Sequence, residues 1–185
     1  HMNLMKAESP GPSVNRLVPK VQSTAKILYT IYLGMTLLQI LLLLIGKMPL
    51  FDTLCITFGT AGTGGFGIKN SSIAGYSTYI QVIVTIFMIL FGINFNVYFL
   101  LLTRKFTQAF KHEEVRYYLG IIAFSTIIIA LNTKHLFQNI GTAFQQSAFQ
   151  VGSIITTTGY GTTDFNQWPA LSKTILVLLM FIGAC

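Results

Sequence analysis

The sequence predicts an all-α membrane protein that contains two tandem copies of one helix–loop–helix unit. Of its 185 residues, 52% are hydrophobic and only 9% are charged, whereas soluble domains carry about 25% charged residues. Apolar runs of about 20 residues, the length that crosses a bilayer, occur along the chain. A five-residue pattern, Thr-x-Gly-aromatic-Gly, begins at Thr63 and again 94 residues later at Thr157. Because apolar segments flank both copies, we interpret them as an internal repeat.

The repeat divides the chain into four parts. Residues 1–24 comprise His1-Met2, which has the form of an expression-vector scar, and a polar, proline-containing leader. The first unit covers 25–104 and the second covers 117–185, with a charged loop over 105–116 between them. Basic residues are concentrated in the leader and the loop, so the positive-inside rule predicts that both lie in the cytoplasm.

The first unit begins with a predicted span over 25–45, an outer helix with no charged residue after Lys26. A helix over 50–61 follows, with Asp52 in its first turn, where a carboxylate complements the helix dipole. This helix is too short to cross the membrane and continues into the first glycine-rich pattern. A short helix followed by exposed backbone predicts a re-entrant segment, since such backbone is tolerated only in protein or beside a water-filled path.

The first unit closes with a predicted inner helix, a second full span over 78–102. This span contains Asn94 and Asn96. Polar residues within a span face other helices or a cavity. The sequence leaves open whether these two side chains line a pore or pack against neighbouring helices.

The second unit repeats this order. A span is predicted over 117–131, which is short unless neighbouring residues extend it. Asn139 is a candidate N-cap for a short helix over 140–155, and the second pattern follows that helix. The last predicted helix, over 171–185, has 15 residues, about 22 Å at 1.5 Å per residue. We therefore expect the chain to be an excerpt that stops within its last inner helix.

Both patterns have the composition of a potassium selectivity filter. A filter replaces the water around an ion with carbonyl oxygens, and glycine permits the backbone angles that aim those carbonyls. Each unit is thus predicted to contain an outer helix, a pore helix, a filter and an inner helix, as in potassium channels. The candidate ligands are the backbone carbonyls of Thr63, Gly64, Gly65, Phe66, Gly67, Thr157, Thr158, Gly159, Tyr160 and Gly161, with potassium as the bound ion and no organic cofactor.

With these motifs the chain resembles the Trk/Ktr/HKT superfamily of potassium transporters, and most closely its bacterial TrkH-type pore subunit. The residues that carry the resemblance are 7–12, Pro49-Leu50-Phe51-Asp52, Thr63-Gly64-Gly65-Phe66, 143–169 and Ile182-Gly183-Ala184-Cys185. The resemblance implies that the chain holds the central two of four units around one pore in the plasma membrane, the inner membrane of bacteria.

The same resemblance implies potassium transport as the function and several partners. These are the lipid bilayer, the remaining repeats of the full-length protein, a second copy in a homodimer, and a cytosolic nucleotide-binding regulatory subunit. The charged segment over 104–116 would face such a subunit, or would be a solvated loop that only sets topology.

Four other classes of protein fit the sequence less well. Residues 62–67 match the Gly-x-Gly-x-x-Gly dinucleotide fingerprint, but no acidic residue follows about 20 positions later. None of the five acidic residues lies within a span, so we expect no enzyme. The basic residues form no aromatic-lined patch, so no nucleic acid is expected. A scaffold would not require the repeated glycines.

Asp164, beyond the second filter, either attracts cations or caps a helix.

Overall fold

Helices of different lengths follow one another through residues 21–183, the part of the chain that the computed structural model describes. Most of the predicted leader, residues 1–20, lies outside the described residues, as do 184–185. The α-helices are α1 (Val21–Ile45), α2 (Leu50–Ala61), α3 (Thr78–Phe91), α4 (Phe95–Leu102), α5 (Phe106–Phe110), α6 (Glu113–Thr133), α7 (Ile140–Ile155) and α8 (Ala170–Gly183). Two 3₁₀ turns, Lys134–Leu136 and Phe165–Gln167, precede α7 and α8 respectively.

Two of these helices, α1 and α6, are long and apolar enough to cross a membrane. Large apolar side chains on both are exposed, for example Ile45 at 70% and Phe124 at 67%, as expected for helices that face lipid. The span predicted over 117–131 is longer in the structure, because α6 begins at Glu113. Carboxylates in a first helical turn complement the helix dipole, so the end of the charged segment is helical.

The short helices α2 and α7 have equivalent neighbours. Helix α2 packs against α1 and α3, and α7 packs against α6 and α8. Helix α7 also contacts α3, which joins the two units. One buried cluster spans this junction: Ile56 and Met88 come from the first unit, Phe149 and Tyr160 from the second. This cluster is therefore shared between the units, and each short helix contributes a residue to it.

The span predicted over 78–102 is not one helix, although its two parts together are long and apolar enough to cross a membrane. The chain forms two helices, α3 and α4, that are bent by 90° at residues 92–94. Asn94 caps the new helix, because its side chain accepts a hydrogen bond from the backbone N–H of Asn96 at 3.0 Å. Two tyrosine hydroxyls donate to carbonyls at the end of α3: Tyr98 to Leu90 at 2.6 Å and Tyr118 to Ile89 at 3.1 Å. The break is stabilised by these polar contacts.

Candidate functional site

The two glycine-rich patterns lie in loops that follow α2 and α7. We call residues 62–67 the first loop and residues 156–161 the second loop. Four backbone hydrogen bonds fold each loop back onto its helix, and each bond of the first loop recurs 94 residues later. The first loop has Gly62 N to Phe58 O, Thr63 N to Thr60 O, and Gly64 N and Gly65 N to Gly59 O. The second has Thr156 N to Gly152 O, Thr157 N to Ile154 O, and Thr158 N and Gly159 N to Ser153 O.

The backbone angles recur in the same way. Left-handed φ values occur at Thr63 (49°) and Gly65 (65°) in the first loop, and at Thr157 (58°) and Gly159 (88°) in the second. Glycine adopts this region freely, whereas a β-branched residue such as threonine is strained there. Of the predicted glycines, Gly65 and Gly159 adopt left-handed angles, and the strained threonines were not foreseen. Strain of this kind persists only where the surroundings impose it.

The two loops touch where Gly65 lies against the second loop. A Cβ atom added to Gly65 would overlap the carbonyl oxygen of Thr158 and would lie 2.8 Å from its carbonyl carbon. Only glycine permits so close an approach of two backbones. The folding of the chain therefore brings the two predicted filter segments side by side, although they are 94 residues apart in sequence.

Tyr160 connects the second loop to both short helices. Its hydroxyl donates to the backbone carbonyl of Ile56 in α2 at 3.0 Å. Its own carbonyl accepts a hydrogen bond from the hydroxyl of Ser153 in α7 at 2.6 Å. The ring is only 1% exposed, whereas Phe66, at the equivalent place in the first loop, is 83% exposed. Gly59 makes room for the tyrosine, since a Cβ there would overlap the Tyr160 hydroxyl.

A cluster of glutamines supports the second loop from α3 and α7. The side-chain oxygen of Gln81 accepts hydrogen bonds from Gln145 at 2.9 Å and Gln146 at 3.2 Å. The Gln81 amide donates to the carbonyls of Ile73 and Tyr76, at 3.4 Å and 3.3 Å. Because buried polar groups are costly unless bonded, this cluster fixes α3 against α7.

Two outer turns add further polar contacts to the second loop. The Thr162 hydroxyl donates to the side-chain oxygen of Gln146. The backbone N–H of Ile73, in the outer turn of the first unit, donates to the carbonyl of Gly161 at 3.0 Å. The hydroxyl of Ser72 accepts from the N–H of Gly161 at 3.2 Å. The outer end of the second loop is thus held by residues of both units.

A second cluster of polar side chains lies in the outer turn between the first loop and α3. The Tyr76 hydroxyl donates to the carboxylate of Asp52 at 2.8 Å, and the ammonium of Lys69 lies 4.2 Å from the centre of the Tyr76 ring. Burial, together with the neighbouring carboxylate, raises the pKa of Tyr76 to about 12. The group therefore ties the start of α2 to the turn that leaves the first loop.

A cavity of about 350 Å³ lies beside the bend between α3 and α4. It is lined by residues of that bend, of α6, of the end of α7 and of the end of α8, among them Glu114, Tyr118 and Thr156. Glu114 accepts a hydrogen bond from the side-chain amide of Asn94 at 3.2 Å. The end of α8 approaches closely, since a Cβ on Gly183 would overlap the carbonyl oxygen of Ile155. The cavity therefore adjoins the start of the second loop.

The sequence left alternative roles for the side chains of Asn94 and Asp164, and the structure shows the hydrogen bonds that each one makes. Asn94 caps α4, bonds to Glu114 and lines the cavity beside the bend. Asp164 accepts a hydrogen bond from the backbone N–H of Asn166 at 3.0 Å and thereby caps a 3₁₀ turn. The residues that sequence reasoning missed are Gly59, Ser153 and Gln81. Only an alignment of the two repeats, which pairs Gly59 with Ser153, would have drawn attention to the first two.

The fold and the loops define a class: an all-helical, multi-pass membrane protein in which short helices lead into glycine-rich loops between apolar helices. The model of the TrkH family, described as cation transport protein, matches residues 2–185. The chain therefore belongs to the TrkH family of cation transport proteins, in agreement with the resemblance drawn from its motifs. The family and the apolar spans place it in the plasma membrane.

Several relatives show the extent of the similarity. The Trk system potassium uptake protein TrkH of Salmonella typhimurium is 32% identical over 189 residues, which cover 100% of this chain and 39% of the relative. The TrkG protein of Escherichia coli is 27% identical over 186 residues, or 98% of this chain and 38% of the relative. The crystal structure of the potassium transporter TrkH from Vibrio parahaemolyticus matches with a TM-score of 0.78 and 27% identity, covering 95% of this chain and 39% of that one. The chain thus spans about two fifths of the length of these relatives.

Proposed function

We propose that the chain is part of the pore-forming subunit of a Trk-type potassium uptake system. In this proposal the two loops line the ion path, and dehydrated potassium ions are held by their backbone carbonyls. The observation that carries it is the recurrence of four hydrogen bonds and two left-handed residues in loops that meet at Gly65. Potassium is the transported substrate, and the name of the Salmonella relative, a potassium uptake protein, supports that choice.

The electrostatics of the short helices favour a cation. Helix α2 ends at Ala61 and α7 ends at Ile155, immediately before the first and second loops. The C-terminal end of a helix carries a partial negative charge of about half an elementary charge. Two such ends beside the loops would attract a positive ion and repel an anion.

Two loops form only part of a ring, so further repeats of the full-length protein would complete the ion path. The 83% exposure of Phe66 supports this, since its counterpart Tyr160 is buried against the neighbouring short helix. By the same proposal the full-length subunit forms a homodimer and binds a cytosolic nucleotide-binding regulatory subunit. The charged segment over 104–116 is the proposed contact for that subunit.

The ion path is tested with the full-length protein that contains this segment, reconstituted in liposomes. Uptake of potassium and of sodium is measured for the wild type, for Gly159→Ser and for Gly120→Ser. Gly159 has a left-handed φ of 88°, so an added side chain distorts the loop. Gly120 lies in α6 with no atom within 4 Å of an added Cβ, and serves as the matched control.

We expect the wild type to prefer potassium, Gly159→Ser to lose much of that preference, and Gly120→Ser to keep it. A wild type that transports both cations equally, or an unchanged Gly159→Ser protein, would overturn the proposal. The regulatory contact has its own test, in which Lys105→Glu and Lys111→Glu are combined. Unchanged binding of the regulatory subunit by this double variant would exclude the segment as the contact.

A further inference from the structure

The carbonyls of the second loop fall into two groups. Those of Tyr160 and Gly161 accept hydrogen bonds, from the Ser153 hydroxyl at 2.6 Å and from the Ile73 N–H at 3.0 Å. Those of Thr157, Thr158 and Gly159 accept no hydrogen bond from any residue in the described range 21–183. The first group is therefore held by hydrogen bonds from the surrounding protein, whereas the oxygens of the second group receive none from the described residues.

The bond from Ser153 is well sheltered. Ser153 is 1% exposed and Tyr160 is also 1% exposed, so water does not compete for the hydroxyl. The backbone carbonyl of Ser153 already accepts the N–H groups of Thr158 and Gly159. One residue of α7 thus binds the second loop at three successive positions, from Thr158 to Tyr160.

The first loop lacks this side-chain bond. The position equivalent to Ser153 is Gly59, which has no hydroxyl and whose side-chain space is taken by the Tyr160 hydroxyl. The carbonyl oxygen of Phe66 lies 3.5 Å from the place where a Cβ of Gly59 would be. The carbonyl of the aromatic residue therefore lies near the short helix in both loops, but only the second loop has a side chain that holds it.

We propose that Ser153 is a positioning residue of the second loop. Its hydroxyl holds the Tyr160 carbonyl towards α7, so that the carbonyls offered to the ion by this loop are those of Thr157, Thr158 and Gly159. This inference rests on the proposed function, because it assigns which carbonyls of the ion path hold the cation. Without the hydroxyl, the peptide group after Tyr160 rotates more freely, and the spacing of the oxygens that discriminates between cations is lost.

The test compares two serines of the same helix in the full-length protein. Ser153→Ala removes the bond to Tyr160, whereas Ser147→Ala removes a hydroxyl that is equally buried but makes no hydrogen bond with the described residues. The potassium-to-sodium uptake ratio is measured in liposomes for each variant, beside the midpoint of thermal unfolding. We expect Ser153→Ala to lower the ratio about five-fold, the factor equivalent to about 1 kcal/mol for one hydrogen bond.

The control is expected to keep the wild-type ratio to within about two-fold. An unchanged ratio in Ser153→Ala, or the same loss in Ser147→Ala, would overturn the inference while leaving the proposed function intact. A wild type without potassium preference would instead overturn the proposed function itself. If Ser153→Ala does not fold, Ser153→Cys takes its place. A thiol is a weaker donor, so this variant is expected to show a smaller loss, and a wild-type ratio would count against Ser153.

Discussion

The contact between Gly59 and Tyr160 predicts a strong coupling between two residues from different repeats. Gly59 lies within α2, and a Cβ atom there would overlap the Tyr160 hydroxyl, with the ring carbon Cζ at 3.3 Å. The hydroxyl is not free to move away, because it donates to the carbonyl of Ile56 and the ring is buried. Gly59→Ala therefore forces the tyrosine to shift and to give up that hydrogen bond.

Two opposing effects determine how much Gly59→Ala changes the free energy of unfolding. Overpacking a buried site costs about 1–3 kcal/mol, whereas alanine in a helix is about 1 kcal/mol more favourable than glycine. Gly59→Ala alone is thus expected to lower the free energy of unfolding by up to about 2 kcal/mol. Tyr160→Phe alone removes one hydrogen bond and costs about 1 kcal/mol. With the hydroxyl absent, Gly59→Ala no longer overlaps it, so the double variant is expected to be no less stable than Tyr160→Phe.

The assay is a double-mutant cycle on the full-length protein in detergent, with denaturant unfolding as the measurement. Gly34→Ala in α1 is the control, because an added Cβ there meets no atom within 4 Å. Gly34→Ala measures how much alanine stabilises a helix when its Cβ clashes with nothing. Its effect on the free energy of unfolding is expected to add to that of Tyr160→Phe. Effects of Gly59→Ala and Tyr160→Phe that add to within about 0.5 kcal/mol would refute the contact.

Three further predictions concern the loops and their supports. Gly65→Ala is expected to be more damaging to unfolding stability than Gly159→Ala: both positions have left-handed φ, but only Gly65 would overlap the backbone of the other loop. Gln81→Leu is expected to lower the free energy of unfolding by about 2 kcal/mol or more, because its bonded partners lose their hydrogen bonds. The contribution of Tyr76 to stability is expected to persist to about pH 10 and to fall as pH rises towards 12, the raised pKa of its hydroxyl. Asp52→Asn is expected to lower that pKa, measured by ultraviolet titration of the phenol.

Each of these has a contrary outcome. Equal losses at the two glycines would mean that the loops do not touch at Gly65. A Gln81→Leu protein as stable as the wild type would remove the glutamine cluster from the supports of the second loop. For comparison, Gln39→Leu changes a buried amide that makes no hydrogen bond with the described residues, and no loss is expected. A Tyr76 titration that is identical in Asp52→Asn would exclude the carboxylate as a cause of its raised pKa.

The sequence was sufficient to predict the bounds of the two short helices. Helix α2 has the predicted bounds of 50–61 and α7 those of 140–155, because their signals are local: a proline or a capping asparagine at the start and glycine-rich residues at the end. The N-cap role of Asn139 is confirmed by its hydrogen bond from the N–H of Thr142 at 2.8 Å.

Features that depend on contacts between residues distant in sequence could not be predicted from the sequence. The apolar run over 78–102 has the composition of one span, and its bend is stabilised by hydroxyls of Tyr98 and Tyr118 that only the folded chain brings to α3. Gly59 and Ser153 are ordinary small residues in apolar helices until the position of Tyr160 is known. The left-handed angles of the two threonines follow from the backbone hydrogen bonds of the loops. Those hydrogen bonds cannot be predicted from any single residue type.

The reach of Tyr160 into α2 also constrains how the two repeats diverge in evolution. The contact has a direction, since the aromatic residue of the later repeat enters the short helix of the earlier one. A larger residue at 59 is expected to cost less stability when a smaller one stands at 160, although the two positions belong to different copies. At this contact, a bulky substitution in one copy is therefore expected to need a compensating substitution in the other copy. An exchange of the two copies along the chain would separate Tyr160 from the short helix that makes room for it.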